Sequence, residues 1–256
     1  MNKPKLLIFA SGTATGGGSG FENLVQASRK ILSLDSARGN ARQPRELDAE
    51  IIGVVSNNEY GGVRERADRL GIPFIHFASR NYSQILKNLR IDKEKEGLEF
   101  ETEEYRRIVR ESGAEWVMLS GWLKFVHGLD PRRTFNIHPA LLSFDHGRFG
   151  GPGLYGRRVH EAVSEALSRG EITESGFSMH FVTDEYDRGP VFFEHRVPLK
   201  KGMTTEEVAQ LVNEVEHEWQ PRIANMVVHG EISWDGNDPA SLIAPRGYAY
   251  LPRETS

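Results

Sequence analysis

The chain has 256 residues, 38% hydrophobic and 27% charged, which suits one large α/β domain or two small ones. Its net charge of −4 gives no basic field for nucleic acid, and the lack of cysteine removes disulfides, cysteine–zinc sites and a thiol nucleophile. The basic start Met1–Lys5 leads into only five apolar residues before Ser11-Gly12, too few for a signal core. No apolar run approaches the roughly 18 residues of a membrane span, so a cytoplasmic protein is expected.

Leu6–Ala10 reads as a buried first strand. It runs into Ser11–Gly20, with glycine at 16, 17, 18 and 20, and Phe21 opens an amphipathic helix to about Leu32. A strand, a glycine-rich turn and a helix start can cradle an anion on free N–H groups. There is no Gly-Lys-Ser/Thr, and Phe21 breaks G-x-G-x-x-G, so neither a Walker A loop nor a dinucleotide fingerprint fits. A phosphate cradle or a plain flexible turn remains.

Residues 33–48 read as a polar loop, Glu50–Ser56 as a second buried strand, 62–70 as a helix and Ile72–Phe77 as a third strand. Helices are expected over 79–95 and 101–112, joined by the solvated charged run Asp92–Glu96. Trp116–Ser120 is a fourth apolar strand ending in Gly121–Phe125, and 134–138 a fifth. Strands and helices alternating at this spacing predict a mostly parallel sheet with right-handed crossovers. Ligands bind at the carboxyl ends of such strands. The polar ends at 11–20, 120–124 and 136–138 would therefore share one edge.

In the strand Phe135-Asn136-Ile137-His138, residues two apart face the same side, and Pro139 forces the chain off the ladder. An amide N–H and an imidazole converging there could stabilise an oxyanion and move a proton near neutral pH. The plainer alternative is a turn-capping Asn and a His bonded to its own backbone.

Residues 143–156 hold five glycines and read as a loop beside this strand end, followed by a helix from Arg157 to about Arg169. His160-Glu161 on that helix lacks the second His of a zinc-protease motif, and no cluster of ligand spacing implies a metal. Residues 176–182 and 191–197 read as a hairpin joined through 183–190. A long helix over 204–228 begins at the cap Thr204-Thr205-Glu206-Glu207. One domain over 1–235 and a surface tail over 236–256 are expected.

Four segments in this order and spacing carry a family resemblance: NIHPALL at 136–142, FGGPGLYGRRVHEAV at 149–163, SMHFVTDEYDRGPV at 178–191 and VNEVEHEWQP at 212–221. The chain resembles the phosphoribosylglycinamide formyltransferases over most of 5–235. The resemblance implies a single doubly wound, Rossmann-like α/β fold with helices on both faces and an antiparallel C-terminal hairpin. It also implies formyl transfer from 10-formyltetrahydrofolate, as co-substrate, to the amine of 5-phosphoribosylglycinamide. It makes Asn136, His138 and Asp187 the catalytic trio: Asn136 and a protonated His138 on the oxyanion, Asp187 holding the imidazole and raising its pKa. Gly18, Ser19, Gly20 and Asn23 would hold the ribose phosphate, Asn213 and Glu216 the glycinamide, and Leu123, Lys124, Phe125 and Val126 the pterin. His160 matches a recurrent histidine with a structural or substrate-positioning role.

Two departures stand out. The glycine loop is longer than in the family, and Ser143–Arg148 is an insertion that implies an altered lid. Small-molecule substrates, no nucleic acid, no membrane and a monomer or homodimer are expected. Two rival readings are a formyltetrahydrofolate hydrolase and a formyltransferase acting on another phosphorylated amine. A third is a folate- or nucleotide-binding module without chemistry.

Overall fold

The protein is described from a computed structural model over residues 2–30, 47–77 and 95–245. In chain order the strands are β1 (Lys5–Phe9), β2 (Gly12–Thr13), β3 (Gly16–Gly17), β4 (Glu50–Ser56), β5 (Phe74–His76), β6 (Trp116–Ser120), β7 (Thr134–His138), β8 (Glu174–Phe181) and β9 (Val191–Pro198). The helices are α1 (Ser19–Arg29), α2 (Gly62–Leu70), α3 (Lys95–Ser112), α4 (Arg157–Ser168) and α5 (Thr205–Val228).

β1 is apolar on both faces, and that dictates its central place. Leu6 and Ile8 point into one core, where they join Phe21, Leu24 and Val25 of α1, Val63 of α2, Val159 of α4 and Val208 of α5. Leu7 and Phe9 point into the other, against Tyr105 and Ile108 of α3. A strand buried on both faces belongs inside a parallel sheet. The main sheet runs β5-β4-β1-β6-β7-β8-β9, with parallel pairing from β5 through β7. β8 and β9 close it as an antiparallel hairpin. The chain winds outward from β1 to β5, then returns to β6 on the other side of β1. The β1/β6 boundary is therefore the switch point, where a crevice opens at the carboxyl edge.

Several boundaries differ from the sequence reading. Ser11–Gly20 is not an open turn: β2 and β3 pair as a short antiparallel ribbon. Gly18 leaves that ribbon with φ 79°, so α1 starts at Ser19, two residues earlier than expected. α3 starts at Lys95 and absorbs the end of the charged run. The helix expected over 79–95, apart from Lys95, and nearly all of the loop expected over 33–48 lie outside the described residues. Only Leu47 and Asp48 of that loop are described, and Leu47 is buried.

The stretch expected as a tail folds back over 236–245. Ser233 and Ile243 exchange backbone hydrogen bonds, and the Trp234 indole donates to the Asp238 carbonyl while its ring lies on Phe181. Residues 246–256 lie outside the described residues. Among the described residues no helix is long and apolar enough to cross a membrane.

Candidate active site

β7 positions the central pair. Phe135 and Ile137 join the larger core, so Asn136 and His138 turn to the opposite face and line one cleft at the carboxyl edge. That cleft is open to solvent and combines apolar and aromatic walls with a few convergent polar groups, as small-molecule sites do. Leu123, Lys124, Phe125 and Val126, which follow β6, form one wall. Tyr186 and Asp187 of the β8–β9 connection stand on another, with the Tyr186 ring 4.2 Å from that of Phe125. The trio and all four expected pterin-lining residues thus share one cavity. Ser11 ties the strand ends together: its N–H donates to the Gly121 carbonyl, while its hydroxyl accepts from Leu123 N–H and donates to Asn57.

Main-chain partners fix the proton positions. His138 Nε2 lies 2.7 Å from the Phe149 carbonyl, which only accepts, so Nε2 carries the proton. Nδ1 is left to exchange one, 3.7 Å from Asp187 Oδ2. His180 is fixed in the opposite sense. Its Nδ1 donates to the Phe181 carbonyl at 2.8 Å, so Nε2 accepts from Asn136 Nδ2 at 3.1 Å and lies 3.5 Å from Asp187 Oδ1. Asp187 Oδ2 also accepts the Gly151 N–H at 2.9 Å.

Charge follows from this placement. Burial works against the Asp187 carboxylate, but His180, His138 and the Gly151 N–H together hold it well below the usual carboxylate range. Burial pushes the His138 imidazole below its ordinary value, and it outweighs the opposing pull of Asp187 and the Phe149 carbonyl. Asp187 raises this pKa as expected, but a fully enclosed ring loses more hydration than a carboxylate 3.7 Å away returns.

His180 was absent from the sequence-derived site. Its only signal there is the seven-residue step to Asp187; the antiparallel register that sets it opposite Asn136 belongs to the sheet. His160, on α4, is half-buried with Nδ1 unpartnered. Burial first, then the nearby His138, pushes it down to about 4.

The residues expected to hold the phosphoribosyl substrate lie beside the cleft rather than in its lining. No side chain caps α1, which leaves its first-turn N–H groups as anion donors. Glu22 in that turn is neutralised by Arg66 at 2.8 Å and Arg69 at 2.9 Å. Gly20 presses on β6: a Cβ there would sit 2.4 Å from Ser120 Oγ, one residue before Gly121 of the cleft.

Asn23 is engaged elsewhere. Pro221 inside α5 has no N–H for the His217 carbonyl one turn back, and Asn23 Nδ2 donates to that carbonyl at 2.7 Å. On the same helix Asn213 bonds to Glu216, whose carboxyl is pushed up to about 7 by burial against that bond.

The inserted segment is bound down outside the cleft. Residues 143–148 are absent from its lining, and Phe144–Gly147 is a 3-10 turn bound at several points. Ser143 donates N–H and hydroxyl to the buried Glu194, Phe144 stacks on Phe149, and Arg148 pairs with Glu171. Among the described residues no group of three or more His, Asp or Glu side chains could hold a metal.

Fold and site together define an α/β enzyme with an amide, an imidazole and a carboxylate lining one cleft. A family model described as formyl transferase matches residues 24–224, and the chain belongs to that family. It is 30% identical over 238 residues to the chloroplastic phosphoribosylglycinamide formyltransferase of Arabidopsis thaliana, covering 91% of this chain and 68% of that protein. It is 28% identical to the trifunctional purine biosynthetic protein adenosine-3 of Gallus gallus over 90% of this chain and 19% of that protein. The fold matches the glycinamide ribonucleotide transformylase 1 structure from Symbiobacterium toebii with TM-score 0.70 at 21% identity, over 95% of each chain.

Proposed function

We propose that this enzyme moves the formyl group of 10-formyltetrahydrofolate onto the amine of 5-phosphoribosylglycinamide. The observation that carries the reading is the convergence of Asn136, His138 and Asp187 on one cleft whose wall is Leu123–Val126. The names of the relatives supply the substrate class; the geometry supplies the roles.

The attacking amine forms a C–N bond to the formyl carbon and pushes its carbonyl electrons onto oxygen. Asn136 Nδ2 donates to that developing oxyanion, a contribution of about 2.7–4 kcal/mol for one such donor. His138 Nδ1 takes the proton released by the amine, and Asp187 stabilises the resulting imidazolium. His138 then returns the proton to the departing folate nitrogen as the C–N bond to it breaks, which balances the transfer. Burial serves this cycle by keeping His138 unprotonated at the start.

The phosphate of the acceptor lies on the N-terminus of α1, on the main-chain N–H groups of Gly18, Ser19 and Gly20. Asn213 and Glu216 bind the glycinamide end. Glu216, poised near neutrality by burial, ionises when a cationic amine approaches it. A formyl-transfer assay with and without phosphoribosylglycinamide tests the proposal. Tetrahydrofolate that appears only with the glycinamide supports it. Equal release without acceptor identifies a hydrolase, and no release in either arm removes the reading.

A further inference from the structure

Three non-glycine residues among those described hold a left-handed backbone: Asp145 (φ 43°), His146 (φ 54°) and Asp187 (φ 51°). Such conformations persist only where the surroundings over-determine them. Two of them adjoin one side chain. Arg188, which follows Asp187, donates from Nη1 to the His146 carbonyl at 3.1 Å. Its guanidinium fills the space over Gly147, where a Cβ would lie 1.9 Å from Nη1, and over Gly151, where a Cβ would lie 3.8 Å from Nη2.

The segment so held supplies a main-chain partner to each of the two proposed catalytic groups. Phe149 offers the carbonyl for His138 Nε2, and Gly151 offers the N–H for Asp187 Oδ2. Gly150 between them fits against Asp187, with a Cβ there only 3.2 Å from the aspartate Cβ. The two ends of the loop are fixed independently, by Ser143 on Glu194 and by α4 after Gly156. Arg188 adds a side-chain tie from the loop's middle to the strand connection that carries Asp187, beside the Gly151–Asp187 hydrogen bond.

We infer that Arg188 is a positioning residue, clamping 145–151 against Asp187 so that Phe149 and Gly151 hold His138 in its Nε2–H form and Asp187 as the anion. The inference rests on the proposed catalytic roles of His138 and Asp187. The groups facing His138 are Asp187 and His180 from the sheet side and His160 from α4. The clamp acts through the loop alone. Arg188 is itself exposed, so its truncation leaves the core untouched.

The test uses the full chain with Arg188→Ala, Arg188→Lys and, as a second route to the same displacement, Gly147→Ala. Ring nitrogen shifts of His138 by NMR report its tautomer without any substrate. Unchanged enzyme should show Nε2 protonated. Arg188→Ala should populate the Nδ1–H form and lower kcat roughly tenfold, the size expected for losing one hydrogen bond from a charged donor, with KM for both substrates nearly unchanged. Arg188→Lys should recover part of both signals, and Gly147→Ala should reproduce the tautomer change. Unaltered His138 shifts and kcat in Arg188→Ala would overturn the clamp. If the unchanged enzyme shows no formyl transfer, the functional reading fails while the tautomer measurement still decides the clamp.

Discussion

Asn23 offers the sharpest test of a residue's role, because resemblance makes it a phosphate contact and its amide donates to a main-chain carbonyl. Replacing it with alanine leaves the His217 carbonyl unpaired, since Pro221 has no N–H to offer. An unsatisfied carbonyl costs roughly 1–3 kcal/mol; both residues are only half-buried here, so about 1–2 kcal/mol is expected. At about 2–4 °C per kcal/mol for a chain of this size, Tm should fall by roughly 2–8 °C. The decisive comparison is the same substitution in a Pro221→Ala background. There residue 221 supplies the missing N–H, and Asn23→Ala should cost less than about 0.5 kcal/mol by urea unfolding. Equal cost in both backgrounds would refute the carbonyl role. Steady-state kinetics complete the assay: KM for the phosphoribosyl substrate should change by no more than about twofold. A large rise in KM with Tm unchanged would return Asn23 to the phosphate.

Other substitutions probe the site directly. His138→Ala should lower kcat by about 10²–10³ while folate affinity, read by fluorescence quenching, stays nearly intact; lost affinity with a preserved rate would contradict the base assignment. Glu216 holds a proton in the folded chain that the unfolded chain releases above about 4.5, so it weakens the fold as pH rises from there to about 7. Glu216→Gln should therefore gain up to ~3 kcal/mol at pH 8 and almost nothing at pH 4, with a higher KM for the amine substrate; a pH-independent effect would count against a buried neutral carboxyl. Gly18→Val, at φ 79° and with Val63 only 3.0 Å from its would-be Cβ, should weaken the phosphoribosyl substrate much more than the folate. Equal weakening of both would make the β2–β3 ribbon purely structural.

The sequence carried the strands well where periodicity and composition agree. Glu50–Ser56, Trp116–Ser120 and Thr134–His138 are apolar runs bounded by polar ends, and they stand as strands with those limits. The cap of α5 was equally legible, because Thr204 and Glu207 satisfy each other's backbone within four residues. The glycine loop misled because a two-residue ribbon has no period to detect. Its form comes from close contact with α2, where Gly62 lies against the Gly16 carbonyl. How the insertion at 143–148 bears on a lid was not legible, because Glu194 and Arg188, distant in the chain, bind it down.

The sequence by itself determined the pairing of Asn136 with His138, since a strand's two-residue repeat is local geometry that needs no partner. The family resemblance, carried by motifs spaced along the chain, implied that Asp187 belongs with them. Only the tertiary structure decided how those groups ionise. Whether His138 starts as base or acid depends on burial set by the whole fold, on a carbonyl 11 residues away at Phe149 and on Asp187 beyond β8. Desolvation and charge act through space, and no pattern of neighbours in the chain encodes the balance between them.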